Sequence, residues 1–93
     1  MIKVKRIVLD VLKPHHPNVL EFARTIAGQG SGYWVNITVE EVDGKTETIA
    51  ITLEGTDIQF EQIDKVIVRM GGSIHSIDEV TVVGESSEVN SIE

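Results

Sequence analysis

The sequence of 93 residues contains no cysteine, and this absence removes several functions at once. Without cysteine there is no disulfide framework, no thiolate nucleophile and no CxxC metal or redox site. Metallochaperones that carry a metal on paired cysteines are excluded for the same reason. A chain without cysteine is typical of a reducing compartment, so we expect a cytoplasmic protein.

Aromatic residues, basic surface and long apolar runs are also scarce. Only two Phe, one Tyr and one Trp are present, whereas RNA-binding sheets stack bases on aromatic side chains. The net charge of −7 argues against a nucleic-acid backbone or an anionic membrane as partner, because both need a basic face. No apolar run approaches the roughly 20 residues that span a bilayer. The charged residues that begin at Lys3 predict neither a signal peptide nor an anchor.

Known catalytic motifs are missing as well. The sequence has no nucleophile elbow, P-loop, HExxH or GxGxxG motif. An acylphosphatase-like site would need an arginine in a glycine-rich loop after the first strand, and the segment PHHP at residues 14–17 does not supply it. The residues therefore favour a non-enzymatic domain.

What the sequence does contain is an ordered series of apolar patterns. Alternation predicts strands over residues 4–12, 35–40, 48–54 and 73–83, and helical spacing predicts helices over residues 17–27 and between 55 and 71. This order predicts an α+β, ferredoxin-like βαββαβ sandwich, with a four-stranded antiparallel sheet and both helices on one face. We expect one domain over residues 1–84 and an acidic, Ser- and Glu-rich tail over 85–93.

Local signals refine this prediction. Asp43-Gly44 predicts a tight hairpin turn with positive φ angles, and Gly71 predicts a left-handed helix end. Thr56 and Gln59 have capping-box spacing, although the helix could also begin one turn later. Phe60 and Ile63 are predicted to be buried. In the last strand the apolar residues fall at both odd and even positions, so they do not share one face of a regular strand. This pattern predicts a bulge near Asp78-Glu79.

Two groups of residues are candidates for a cation. Asp10 lies in an otherwise apolar strand and would neighbour His75 or Asp78, so these three residues are a candidate site for calcium or magnesium. The simpler interpretation pairs Asp10 with a backbone turn or a lysine. His15 and His16 could also bind a metal, although adjacent histidines in a turn are most often solvated.

The second strand is a candidate contact between subunits. It lies at an edge of the predicted sheet, and residues 35–39 carry no charge to protect that edge from pairing. Tyr33 and Trp34 lead into it, and both are residue types enriched at interface anchors. We therefore predict a homo-oligomer whose contact includes Tyr33, Trp34, Asn36 and Thr38. The alternative is that Trp34 folds over the sheet of its own subunit.

Three segments carry a resemblance to a known family. They are RIVLDVLKP at residues 6–14, VNITV at 35–39 and GGSIHSIDEV at 71–80. Together they resemble a mainly archaeal family, the domain of unknown function number 211, over residues 4–84. The resemblance implies a ferredoxin-like fold, a cytoplasmic location and self-assembly, and it implies no activity. The chain departs from the family pattern at residues 32–34, where smaller or acidic residues are expected.

These observations lead to three functional hypotheses, one of which is a purely structural assembly protein. The favoured one is a non-enzymatic, self-associating module that binds a small ligand or divalent cation on the open sheet face or between subunits. The alternative is an enzyme, or an enzyme subunit, whose site forms at a subunit interface from Asp10, His75 and Glu40.

Overall fold

Six elements make up the part of the chain that the computed structural model describes, residues 1–84. They are β1 (Ile2–Pro14), α1 (Val19–Ala27), β2 (Trp34–Val42), β3 (Thr46–Glu54), α2 (Phe60–Arg69) and β4 (Ser73–Gly84). The strands form one antiparallel sheet in the order β2-β3-β1-β4. This arrangement confirms the predicted ferredoxin-like α+β fold. The predicted acidic tail, 85–93, lies outside the described residues.

The core lies between one face of the sheet and the two helices. Odd-numbered residues of the central strands β1 and β3 point into it, and they pair across the sheet in register. They are Ile7, Leu9 and Val11 from β1 and Ile49, Ile51 and Leu53 from β3, each at most 3% exposed. Burial of such a side chain stabilises the fold by about 1.5–3 kcal/mol, so this strand pair is the centre of the domain.

Each helix packs one apolar stripe onto the sheet. Phe22 and Ile26 of α1 are fully buried, and the Asn18 side chain caps the helix by accepting a hydrogen bond from the Glu21 N–H at 2.9 Å. In α2 the predicted burial of Ile63 is confirmed. Phe60, also predicted to be buried, is only partly buried: it is the first residue of α2 and packs against the edge of the core.

The start of α2 differs from the capping box that Thr56 and Gln59 predict. The helix begins one turn later, with Gln59 as N-cap, and no side chain of its own segment caps it. Instead, the Gln59 N–H donates a hydrogen bond to the Tyr33 hydroxyl oxygen at 2.9 Å. A residue from the distant α1–β2 loop therefore satisfies one of the free N–H groups at this helix end.

Two predicted turns show how glycine is used. The hairpin at Asp43-Gly44 is present, but the predicted positive φ at Gly44 is wrong. The Asp43 carboxylate accepts hydrogen bonds from the Lys45 and Thr46 N–H groups at 2.9 and 2.8 Å. These side-chain bonds hold the turn, which is not the tight two-residue turn that was predicted. At the end of α2, Gly71 has φ +92°, which confirms the predicted left-handed residue.

The last strand is irregular, as its mixed parity predicts. Glu79 pairs with Val8 but Ile77 pairs with Leu9, so Asp78 is an extra residue at the predicted bulge. A second shift leaves His75 without a partner in β1, and a third leaves Lys5 without one in β4. These shifts let β4 follow β1 over nearly its whole length while its side chains change faces.

Candidate functional site

The face of the sheet opposite the helices is organised in rows that cross all four strands. Three successive rows are Trp34–Glu54–Arg6–Thr81, Asn36–Thr52–Val8–Glu79 and Thr38–Ala50–Asp10–Ser76. On the β2 and β3 half, the second and third rows contain only small, uncharged side chains. The charged groups are Arg6 and Asp10 of β1, Glu79 of β4 and, in the first row, Glu54 of β3. The open face is therefore a small-residue surface with charge along one side.

Arg6 is the centre of the charged end. Its Nε donates to Glu79 Oε2 at 2.7 Å, and its Nη1 donates to Glu54 Oε2. The two carboxylates raise the pKa of Arg6, with Glu79 contributing more than Glu54. One guanidinium thus joins strands β3, β1 and β4, and it fixes where the charges of this end lie.

Trp34 is the most exposed aromatic side chain on this face. Its exposed fraction is 54%, and it adjoins a shallow depression of about 550 Å³ bordered by Arg6 and Lys5. Asn36 and Thr38 follow it along β2, and both are exposed. Three of the four predicted interface residues are therefore available on one strand, and the contact with another subunit stays a prediction.

Tyr33, the fourth predicted interface residue, is used within its own chain. Its ring packs so closely over Gly30 and Gly55 that an added Cβ would approach ring atoms at 2.5 and 3.0 Å. Its hydroxyl accepts the Gln59 N–H that begins α2. Tyr33 therefore ties the α1–β2 loop to the start of α2 and sets the backbone position from which Trp34 emerges.

The predicted cation ligands come close to one another without forming a closed set. Asp10 is paired across the sheet with Ser76, whose hydroxyl donates to Asp78 Oδ1 at 2.7 Å, and His75 lies at the adjacent bulge. Among residues 1–84, no group of three or more His, Asp or Glu side chains is arranged to hold a metal ion. A cation at Asp10 would need further ligands from water or another subunit, and the site stays a prediction.

The residues of the enzyme hypothesis are spread across the sheet. Asp10 belongs to β1 and Glu40 to β2, with β3 between these strands. Two strand spacings separate them by roughly 10 Å, so they do not meet at one reacting atom within a chain.

A buried ionic cluster at the other end of the sheet is absent from the sequence-based predictions. Lys13 is fully buried, and its Nζ donates to the Pro14 carbonyl at 2.7 Å and to Glu47 Oε1 at 3.1 Å. The Nζ lies 5.4 Å from the centre of the Phe22 ring. The other carboxylate oxygen of Glu47 lies 3.1 Å from His15 Nδ1. This lysine is therefore held by hydrogen bonds and an aromatic face in place of water.

The pKa shifts follow from this cluster. Hydrogen bonding to Glu47 raises the pKa of His15, the Asp43 carbonyl adds to the rise, and burial opposes it. Hydrogen bonds from His15 and then Lys13 lower the pKa of Glu47. These bonds favour the ionised form of the Glu47 carboxylate, which lies between Lys13 and His15.

A signal for this cluster is present in the sequence. Lys13 continues the odd-numbered parity of the buried residues in β1, and Glu47 continues it in β3. The register places the two residues directly opposite each other. Opposite charges at matching positions on two core-facing stripes indicate a pair at the end of the core.

No helix among residues 1–84 is long and apolar enough to cross a membrane.

Comparison with known proteins connects this fold to a family without an assigned activity. The family model described as an uncharacterised archaeal group, the domain of unknown function 211, matches residues 5–91. An uncharacterised protein of Methanocaldococcus jannaschii is 46% identical over 77 residues, which cover 83% of this chain and 79% of that protein. The match agrees with the resemblance carried by residues 6–14, 35–39 and 71–80. The chain therefore belongs to the DUF211 family.

Proposed function

We propose that the protein is a non-enzymatic, self-associating module whose subunit contact is the β2 edge together with the adjoining open face. The observation that carries the proposal is the half-exposed Trp34 at the end of a strand edge with no charged residue from Val35 to Val39. Unprotected edges of this kind bind further strands, because their outer N–H and C=O groups are unpaired.

The open face supports the same contact. Asn36, Thr38, Ala50 and Thr52 form a flat group of small side chains that carries no charge. Such a surface can pack against an identical copy without burying an unpaired charge, which is the main cost of a polar interface. The described residues of one chain hold no complete set of metal ligands. A site for a small ligand or a cation would therefore have to form between subunits when the protein assembles.

The test is light scattering coupled to size exclusion, run over a dilution series. We expect an oligomeric mass for the wild type at micromolar concentration, and we expect Trp34→Ala to weaken association about 30-fold or more, as loss of an interface anchor does. Thr38→Lys places a charge on the uncharged part of β2 and should lower the mass further.

Val68→Lys is the matched control, because Val68 is exposed on α2, on the helix side of the sheet. It should leave the oligomer unchanged. A monomeric wild type would refute the proposal, and an oligomer indifferent to both β2 variants would refute the assigned surface. Native mass spectrometry of protein from its own cells would report any bound ligand or ion together with the subunit number.

A further inference from the structure

The imidazole of His15 makes two hydrogen bonds within residues 1–84, and the partner is an acceptor in both. Its Nδ1 lies 3.1 Å from Glu47 Oε2, and its Nε2 lies 3.0 Å from the backbone carbonyl oxygen of Asp43. An ionised carboxylate and a carbonyl can only accept, so both ring nitrogens must carry a proton to satisfy both contacts. A neutral imidazole has one N–H and can make only one of the two. The two contacts together therefore require the charged, doubly protonated ring.

We infer that His15 is a pH-dependent latch that fastens the β1–α1 loop to the β2–β3 hairpin when it is protonated. His15 belongs to the loop, Glu47 to the start of β3 and Asp43 to the hairpin turn. The protonated ring therefore joins segments about 30 residues apart in the chain. Loss of one proton removes one of the two links and leaves an acceptor at the hairpin without its donor.

The groups around the ring set the direction of the response. Glu47 faces it from β3, and the Asp43 carbonyl and carboxylate face it from the turn. Lys13 of β1 is the one cation in the cluster besides His15 among residues 1–84, and it bonds the opposite oxygen of Glu47. From α1 the cluster meets the uncharged Phe22 ring. The hydrogen bond to the Glu47 carboxylate outweighs the burial of the ring, in agreement with the raised pKa of His15.

The two contacts of Glu47, with Lys13 and with His15, differ in how open they are to solvent. The Lys13–Glu47 contact is fully buried on the lysine side and does not involve the ring of His15. The His15 contacts are more open, with the side chain 36% exposed, so protons reach the ring. The stabilisation by His15 is complete below its unfolded pKa of about 6.5 and is lost as the pH rises through its higher folded pKa. The latch is closed in mild acid and open in mild base.

The first experiment measures the latch directly in the wild-type protein. NMR titration of the histidine ring signals should give His15 a midpoint above 6.5. Amide-exchange protection factors, which correct for the intrinsic pH dependence of exchange, should fall for residues 43–47 between pH 5.5 and pH 8.5. Protection in the centre of β1, at Leu9, should change much less. Equal protection of the hairpin at both pH values would refute the latch.

Variants separate the latch from a general effect of pH. His15→Gln should abolish the pH dependence of hairpin protection, and Glu47→Gln should lower the His15 midpoint towards 6.5. His16→Gln is the matched control, because His16 is the exposed neighbour with no side-chain hydrogen bond among residues 1–84. It should leave the wild-type pattern intact. An unchanged His15 midpoint in Glu47→Gln would overturn the assignment, and the wild-type measurement decides the question if that variant does not fold.

Discussion

Replacement of Lys13 by Met tests whether the buried ammonium group stabilises the fold. Met keeps an unbranched side chain against Phe22 and removes only the charged end. The substitution removes the donor that reaches the Pro14 carbonyl at 2.7 Å and Glu47 Oε1 at 3.1 Å, and it ends the interaction with the Phe22 ring. An unpaired buried polar group costs about 1–3 kcal/mol. The desolvation of the ammonium, which Met avoids, offsets part of the lost cation–π attraction.

We therefore expect Lys13→Met to lower the free energy of unfolding by about 1–3 kcal/mol, which for a domain of this size is a fall in melting temperature of about 4–8 °C per kcal/mol. Urea unfolding followed by circular dichroism measures the change as a lower midpoint at constant slope. Lys65→Met is the matched control, because Lys65 is exposed on α2, and its effect should stay within about 0.5 kcal/mol.

A double-mutant cycle measures the interaction between Lys13 and Glu47. Lys13→Met leaves the Glu47 carboxylate with His15 alone, whereas Lys13→Met combined with Glu47→Met leaves neither charge. Apolar replacement of both partners is often neutral, so the double variant should recover part of the stability lost by the single one. A Lys13→Met protein as stable as the wild type would refute the conclusion that the bonds of this lysine stabilise the fold.

Three further predictions concern other parts of the chain. Gly71→Ala should cost about 1–2 kcal/mol in urea melts because φ is +92° there, whereas Gly44→Ala, in open space without positive φ, should change little; equal effects would contradict the turn analysis. Tyr33→Phe removes the acceptor for the Gln59 N–H and should cost about 0.5–1.5 kcal/mol, and no loss of stability would mean that water replaces the hydroxyl. If Asp10 binds a divalent cation, calcium or magnesium should raise the melting temperature of chelator-treated wild-type protein more than that of Asp10→Asn, and equal shifts in both would rule the site out.

The candidate surfaces were only partly predictable from the sequence. Trp34, Asn36 and Thr38 could be placed on one edge strand, because alternation reports which residues share a strand face. The role of Tyr33 could not be predicted, since its hydroxyl bonds the Gln59 N–H, 26 positions away, through the folding of two loops. The helix start at Phe60 follows from that same contact and not from the local capping-box spacing of Thr56 and Gln59.

The sequence by itself determined the order of elements, the antiparallel sheet and the identity of the core stripes. These depend on periods of 2 and 3.6 residues, which are local properties of the chain. Tertiary structure alone decided that Lys13, a residue type rarely buried, ends the buried stripe of β1 at 0% exposure. It also decided that Glu47 stands between Lys13 and His15. Periodicity gives the face of a side chain, but the depth of its burial and its partners depend on strand register and loop packing, which bring together groups more than 30 residues apart.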